Sequence, residues 1–185
     1  RKPTEELVED GAWLADAGIK DKFVKGKWGP LERDGKTYAL PWDIGPVGTF
    51  YRTDVFDEYG VDPSSVETWD EYIEEGKKLP DDQYMLNLPE GDLSGVWRYQ
   101  FRQLSGEPFL ESGEVNIHNE KSLRVARNIK EIYDADIAAN IEGWTSAWFS
   151  AYGDATIASL PSAAWMEGTL RAELPDTAGD WGVFK

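Results

Sequence analysis

Catalysis needs side chains of particular types at particular spacings, and in this 185-residue sequence most such sets are incomplete. The segment Gly29-Pro-Leu-Glu-Arg-Asp-Gly35-Lys36-Thr37 imitates a phosphate-binding P-loop, but five residues separate its glycines where that loop has four. A strand-like run follows it, whereas a bound phosphate needs a helix N-terminus. There is one histidine, His118, and no cysteine, so thiolate nucleophiles and thiolate metal sites are excluded and a Ser-His-Asp triad has no partner pattern. No G-x-S-x-G elbow occurs. Asp134-Ala-Asp136 with Asn140 lacks the glycine and distal glutamate of a calcium loop. No catalytic residue, metal ligand or cofactor is therefore assigned. Glycosidase carboxylate pairs meet only in the fold, so a carbohydrate-active enzyme stays open as an alternative.

What remains is tryptophan set beside polar residues in loops and at strand ends. A pyranose presents C–H groups on its faces and hydroxyls around its rim, so its binder needs a flat aromatic surface and planar hydrogen-bonding groups. Tryptophan beside Asp, Asn or Arg supplies both. The sequence holds nine tryptophans, and aromatic residues make up 13% of it, which marks a folded chain. Its formal charge of -16 repels phosphate backbones and anionic lipid headgroups, making nucleic acid and membrane surfaces poor partners. The acidic residues are dispersed as on a solvated face; adaptation to high salt or a cationic partner is the alternative. No apolar run reaches the roughly 20 residues of a membrane span, and no signal peptide is visible.

The elements that must position these residues alternate. Thr4 caps a first helix that Gly18 stops, and residues 19–36 read as a surface loop ending in the turn Arg33-Asp34-Gly35-Lys36. A strand over 37–40 follows, then a break at Gly45-Pro46-Val47-Gly48 that suggests a boundary between lobes, then a strand over 49–52. Asp54 caps a short helix ending at Gly60. Thr68-Trp69-Asp70-Glu71 is a capping box opening a helix to Leu79, before Pro80. A buried strand is expected over 84–88 and a helix over 93–104. Asn119 opens a helix with Val125, Ile129, Ile132 and Tyr133 on one face. A short helix over 146–152, a strand over 156–160, a helix from Ser162 to about Glu173 and a strand over 181–184 complete an α/β layer architecture. The chain opens on Arg1-Lys2-Pro3 without Met and stops in a strand, so it is expected to be a piece of a longer protein.

The order "DGK-x-YALP" (Asp34–Pro41), a bend, "FYR-x-D-x-F" (Phe50–Phe56) and "TWDEY" (Thr68–Tyr72) resembles the extracellular solute-binding proteins of carbohydrate ABC importers, the group that includes maltose-binding protein. Gly153–Trp165 and Leu174–Val183 look like the strand-to-tryptophan segment of that family and the strand after it. The resemblance implies a type II periplasmic-binding-protein-like α/β fold, mainly one lobe of two. Residues 1–45 would be the end of the first lobe with the hinge crossing, and 46–185 most of the second. It also implies a carbohydrate ligand, ABC permease subunits as partners, a monomer, and an extracellular or periplasmic place with a membrane anchor in the parent. A sensor or binding module uncoupled from transport is the other alternative.

Under that resemblance Trp165 matches the stacking tryptophan after the strand. Trp42 and Asp43 fall at the lobe crossing, where Asp43 could accept from two sugar hydroxyls. Asp92, Trp97 and Arg98 lie in the region of family ligand contacts, and Trp144 or Trp148 could reach the cleft from a short helix. Trp13, Trp28, Trp69 and Trp181 are assigned to packing or surface.

Overall fold

The computed structural model describes residues 18–34 and 36–185; the helix expected from Thr4 up to its stop at Gly18, and Trp13 with it, lies outside them. The chain divides into two units, Arg1–Gly45 and Pro46–Lys185.

In the first unit the expected surface loop is instead a chain of tight turns around one buried ring. A 3-10 turn (Lys20–Lys22), helix α1 (Lys25–Trp28) and a second 3-10 turn (Gly29–Leu31) wrap Trp28, which is 1% exposed and lies 5.3 Å from the Phe23 ring. Scattered apolar residues gave no periodic signal, yet one indole suffices to organise them. Strands β1 (Glu32–Arg33) and β2 (Lys36–Thr37) pair antiparallel with Arg33 opposite Lys36. The strand expected over 37–40 thus ends at Thr37. A Lys20 Nζ to Glu32 carboxylate contact of 2.6 Å ties the first turn to β1.

The second unit is built on β3 (Val47–Arg52), flanked antiparallel by β6 (Ser159–Ala163) and β7 (Trp181–Phe184). Just before β6 the chain also pairs with the segment leading into β4 (Leu86–Asn87): Tyr84 bridges Ile157 in parallel, and Ser159 N–H donates to Met85 C=O at 3.0 Å. β4 pairs parallel with β5 (Ala138–Ala139). Side chains alternate across a strand. Phe50 of β3 enters a core with α6 (Ser146–Gly153) and α7 (Met166–Glu173), while its neighbour Tyr51 packs with α2 (Thr53–Tyr59), α3 (Trp69–Gly76), α4 (Ser94–Gln103) and α5 (Glu120–Asp134). Both faces of the sheet are therefore covered, and each fully buried large side chain contributes about 1.5–3 kcal/mol.

Local signals account for most boundaries. In the α3 capping box Glu71 N–H donates to Thr68 Oγ1 at 3.2 Å and Thr68 N–H to the Glu71 carboxylate at 2.8 Å. The helix stops at Gly76 rather than Leu79. Gly76 is wedged against Met85, where a Cβ would come within 2.9 Å, and the chain turns there through Lys78 N–H to Glu75 C=O. Asn119 accepts from Ser122 N–H at 3.1 Å to start α5. Strand β6 begins three residues later than expected and takes in Ser162, which pairs with Gly48 and so cannot cap α7. Its register with β3 carries it on to Ala163.

Two features hold helix ends. After α4, Ser105 N–H donates to Arg102 C=O and Gly106 N–H to Phe101 C=O, both at 2.8 Å, which is a Schellman closure. Its left-handed residue, Ser105, has φ +53° where glycine is the unstrained choice. Ser105→Gly is expected to raise stability by about 0.5–1 kcal/mol, read as a higher urea midpoint with unchanged slope. At the end of α6, Arg52 Nη1 donates to the carbonyls of Tyr152 and Gly153, each at 3.0 Å. The same guanidinium forks onto Asp54, with Nε to Oδ1 at 2.9 Å and Nη2 to Oδ2 at 2.6 Å. Asp54 therefore anchors Arg52 from the first turn of α2; it does not cap that helix.

Candidate functional site

β4, β5 and the chain entering β6 run in one direction, so their carboxyl ends open on one edge of the sheet, beside the start of β3. Ala164 N–H donates to Pro46 C=O at 3.1 Å and Val47 pairs with Ala163 there. In open α/β sheets the crevice beyond the carboxyl ends is where ligands bind, because loops there converge without backbone pairing of their own.

The loops at this edge are tied to each other. Asn87, at the end of β4, donates through Nδ2 to Ile141 C=O at 2.9 Å and accepts from Ile141 N–H at 3.1 Å. Asn140 Oδ1 accepts from Glu90 N–H at 3.1 Å, and Tyr133 Oη donates to Leu88 C=O at 2.8 Å. Beyond them Thr145 caps α6, accepting from Trp148 N–H at 3.2 Å and donating to Glu142 C=O at 2.8 Å.

That cap presents Trp144. Its φ is +65°, a left-handed conformation that a bulky residue adopts only under constraint, at a cost of order 1–3 kcal/mol. The indole lies 5.8 Å from that of Trp165 with 21° between their planes. Both remain in solvent, Trp144 at 59% and Trp165 at 49% exposure. Beneath them Trp148 is buried, 5.4 Å from Trp144, and packs with Tyr152 and Phe149 in the core. Of the two tryptophans near this helix, Trp144 is the one at the surface. Trp165 directly precedes α7, whose first residue, Met166, is buried and anchors it.

The other candidates are placed differently. Trp97 is half-buried and stacks on Phe101 at 4.5 Å and 19°, against the core. Asp92 accepts from Ser94 N–H at 3.0 Å at the start of α4; bonds from Ser94 chiefly, with the charge of Arg98, hold its carboxyl below the usual range. Arg98 is exposed one turn into α4. Trp42 (97% exposed) and Asp43 belong to the first unit, both exposed. The structure thus brings together Trp144 and Trp165. Asn87, Glu90, Asn140 and Glu142 join the same edge without having been picked from the sequence. Their available signal was position: Asn87 and Asn140 each end a short apolar run, Met85-Leu86 and Ile137-Ala-Ala.

Chemically this edge is an aromatic step with a polar rim. Among the described residues no cluster of three or more His, Asp or Glu could hold a metal. Burial raises the pKa of Tyr72, Tyr99 and Tyr152, which lie in or against the core, and burial with the nearby charge of Glu90 raises that of Tyr133 at this edge. Because backbone strain and ring sit on one residue, Trp144→Gly and Trp144→Ala separate them. The glycine variant is expected to unfold at about 1 kcal/mol higher stability than the alanine variant in urea.

The model of a family described as bacterial extracellular solute-binding protein matches residues 10–184. An arabinooligosaccharide-binding protein of Halalkalibacterium halodurans is 28% identical over 167 residues, 87% of this chain and 37% of the relative. A lactose-binding protein of Rhizobium radiobacter is 28% identical over 176 residues, 90% of this chain and 41% of the relative. Among solved structures, an ABC-transporter-associated binding protein of B. animalis subsp. lactis, in complex with β-1,6-galactobiose, aligns with a TM-score of 0.79 at 31% identity. That alignment covers 92% of this chain and 44% of that one. The galacto-N-biose/lacto-N-biose I-binding protein of Bifidobacterium longum shares the fold, with a TM-score of 0.77 at 24% identity over 92% of this chain and 43% of its own. The chain spans about two fifths of the length of the curated relatives it matches.

Proposed function

Because this chain belongs to the bacterial extracellular solute-binding protein family, we propose that it captures a sugar or oligosaccharide outside the cell and delivers it to an ABC-type membrane permease. Its fold is the type II periplasmic-binding-protein-like α/β fold. The relatives named above are binding proteins, and the role proposed here is likewise capture without turnover. The observation that carries the reading is the exposed Trp144–Trp165 pair at the carboxyl edge of the sheet. Two indoles held in water by a strained backbone and a helix start serve no packing need that a smaller residue would not meet, whereas a sugar face does use them.

In this reading residues 1–45 are the end of a first lobe and 46–185 most of a second. A sugar that contacts both lobes stabilises their closed arrangement, which the permease recognises. Trp165 and Trp144 stack on the ligand. In the same reading Asp92, Trp97 and Arg98 of the second unit and Trp42 and Asp43 of the first are further ligand contacts, Asp43 and Asp92 as acceptors from hydroxyls. The working protein is a monomer held at the outer face of the membrane by an anchor.

The test is calorimetric titration of the full-length protein with a panel of neutral mono- and oligosaccharides, followed by chromatography of each sugar after prolonged incubation. Saturable binding with the sugar recovered intact is expected. Products of hydrolysis or transfer would overturn the carrier reading in favour of an enzyme.

A further inference from the structure

We propose that Asn87 and Thr145 are positioning residues, which act on the ligand only through Trp144 by holding its backbone in the left-handed turn that sets its ring beside Trp165. The effect on affinity rests on the sugar-capture reading above; the effect on the two rings stands without a ligand. A bulky residue stays left-handed only where its surroundings over-determine it. Here the constraints lie on both sides of Trp144. The pairing of β4 with β5 reaches Leu88, whose N–H donates to Ala139 C=O at 2.8 Å. Two residues further along the second segment, the Asn87 side chain takes over. Its Nδ2 donates to Ile141 C=O at 2.9 Å and its Oδ1 accepts from Ile141 N–H at 3.1 Å. A primary amide carries a donor and an acceptor in one plane, as a peptide group does, so it adds a rung to the ladder that a carboxylate or an alkyl group cannot. Ile141 also packs against the core beneath α6 and α7.

On the other side one hydroxyl does two tasks. Thr145 Oγ1 donates to Glu142 C=O at 2.8 Å, closing the turn, and accepts from Trp148 N–H at 3.2 Å, starting α6. Between Ile141 and Thr145 stand Glu142, Gly143 and Trp144. So short a span between two held ends has few conformations open to it, and the reversal is taken up at Trp144, with φ +65°. Asn87 and Thr145 thus fix the backbone from which the indole projects, and contact with Trp165 then fixes how the ring lies. The competing cause is the ring itself, drawn into place by Trp148, Phe149 and Trp165. Asn87→Leu and Thr145→Val separate the two, because each removes hydrogen bonds at nearly constant volume and leaves those rings as they are.

The experiment has a ligand-free arm and a binding arm, both on the full-length protein. In the first, circular dichroism reads the exciton couplet of the stacked indoles, defined as the signal that Trp165→Phe removes. Asn87→Leu and Thr145→Val are each expected to lose most of it, whereas Thr145→Ser, which keeps the hydroxyl, retains it. Should Asn87→Leu fail to fold, Asn87→Asp gives the same reading, since it keeps the acceptor for Ile141 N–H and loses the donor to its C=O. In the second arm, calorimetry with β-1,6-galactobiose, lactose and arabinobiose measures affinity for whichever binds the parent. Asn87→Leu and Thr145→Val should each weaken it about three- to tenfold, and in a Trp144→Gly background each should change it by less than about twofold. A couplet that survives both substitutions overturns the inference, with the rings holding the turn. So does an undiminished loss of affinity in the Trp144→Gly background, which would mean that Asn87 or Thr145 meets the ligand directly. A couplet lost as expected in a parent that binds no sugar overturns sugar capture and leaves the positioning of Trp144 standing.

Discussion

Replacing Trp165 with alanine is expected to weaken sugar binding at least tenfold in the full-length protein while leaving the fold nearly untouched. The two halves of that expectation come from one observation, the 49% exposure of the ring. Half of the indole contributes little to packing, and the neighbouring Met166, buried at 2%, holds the start of α7 by itself. Stacking on a sugar contributes on the order of 1 kcal/mol beyond the area it buries, and burial of the ring's free face adds to that. Loss of both exceeds the 1.4 kcal/mol of a tenfold change. Truncation also uncovers the face of Trp144 that Trp165 now occupies, so Trp144 loses its orientation as well. Calorimetry gives the affinity, and a melting curve within a few degrees of the parent shows the fold is kept. An unchanged affinity would place the site elsewhere.

Arg52→Ala should destabilise the fold by about 3 kcal/mol, measured by urea unfolding. The guanidinium side chain is 8% exposed and satisfies two carbonyls at the end of α6 while forking onto Asp54. It also lies 6.0 Å from the Trp181 ring, bracing β7. Removing it leaves two helix-end carbonyls without their donor and Asp54 without its partner. Arg52→Lys should lose most of the same energy, because one ammonium cannot form the planar fork and reach the carbonyls at once. The pair also has a pH signature. Hydrogen bonding from Arg52 lowers the Asp54 pKa below its ordinary 3.8 in the folded state. Its contribution is complete above that ordinary value and is lost as pH falls toward the lower folded-state value. Asp54 is half exposed, so solvent screens much of this effect.

What could be read from the sequence follows the range of the interactions that fix it. The α3 capping box, the start of α5 at Asn119, the span of α4 and the last strand at 181–184 are set by residues within a few positions of one another, and all four were legible. The start of β6 was not. Its register is fixed by β3, more than a hundred residues earlier, and local pattern gave no hint that Ser162 pairs with Gly48. The same limit applies to the site. Trp144 and Trp148 are chemically alike and four residues apart, and only the left-handed turn at Trp144 decides which ring reaches water. Arg52 and Asp54 belonged to a recognisable run, but their task at the end of α6 depends on carbonyls 100 residues away.

The Asn87 side chain, bonded to both the N–H and the C=O of Ile141, makes two loops behave as one rigid wall. A wall already set in place needs no ordering when its ligand arrives. The conformational entropy lost on association then falls chiefly on the ligand's own glycosidic torsions. Between two sugars that reach the same contacts, the one with the stiffer linkage gains the advantage, and a freely rotating 1,6-linkage surrenders the most.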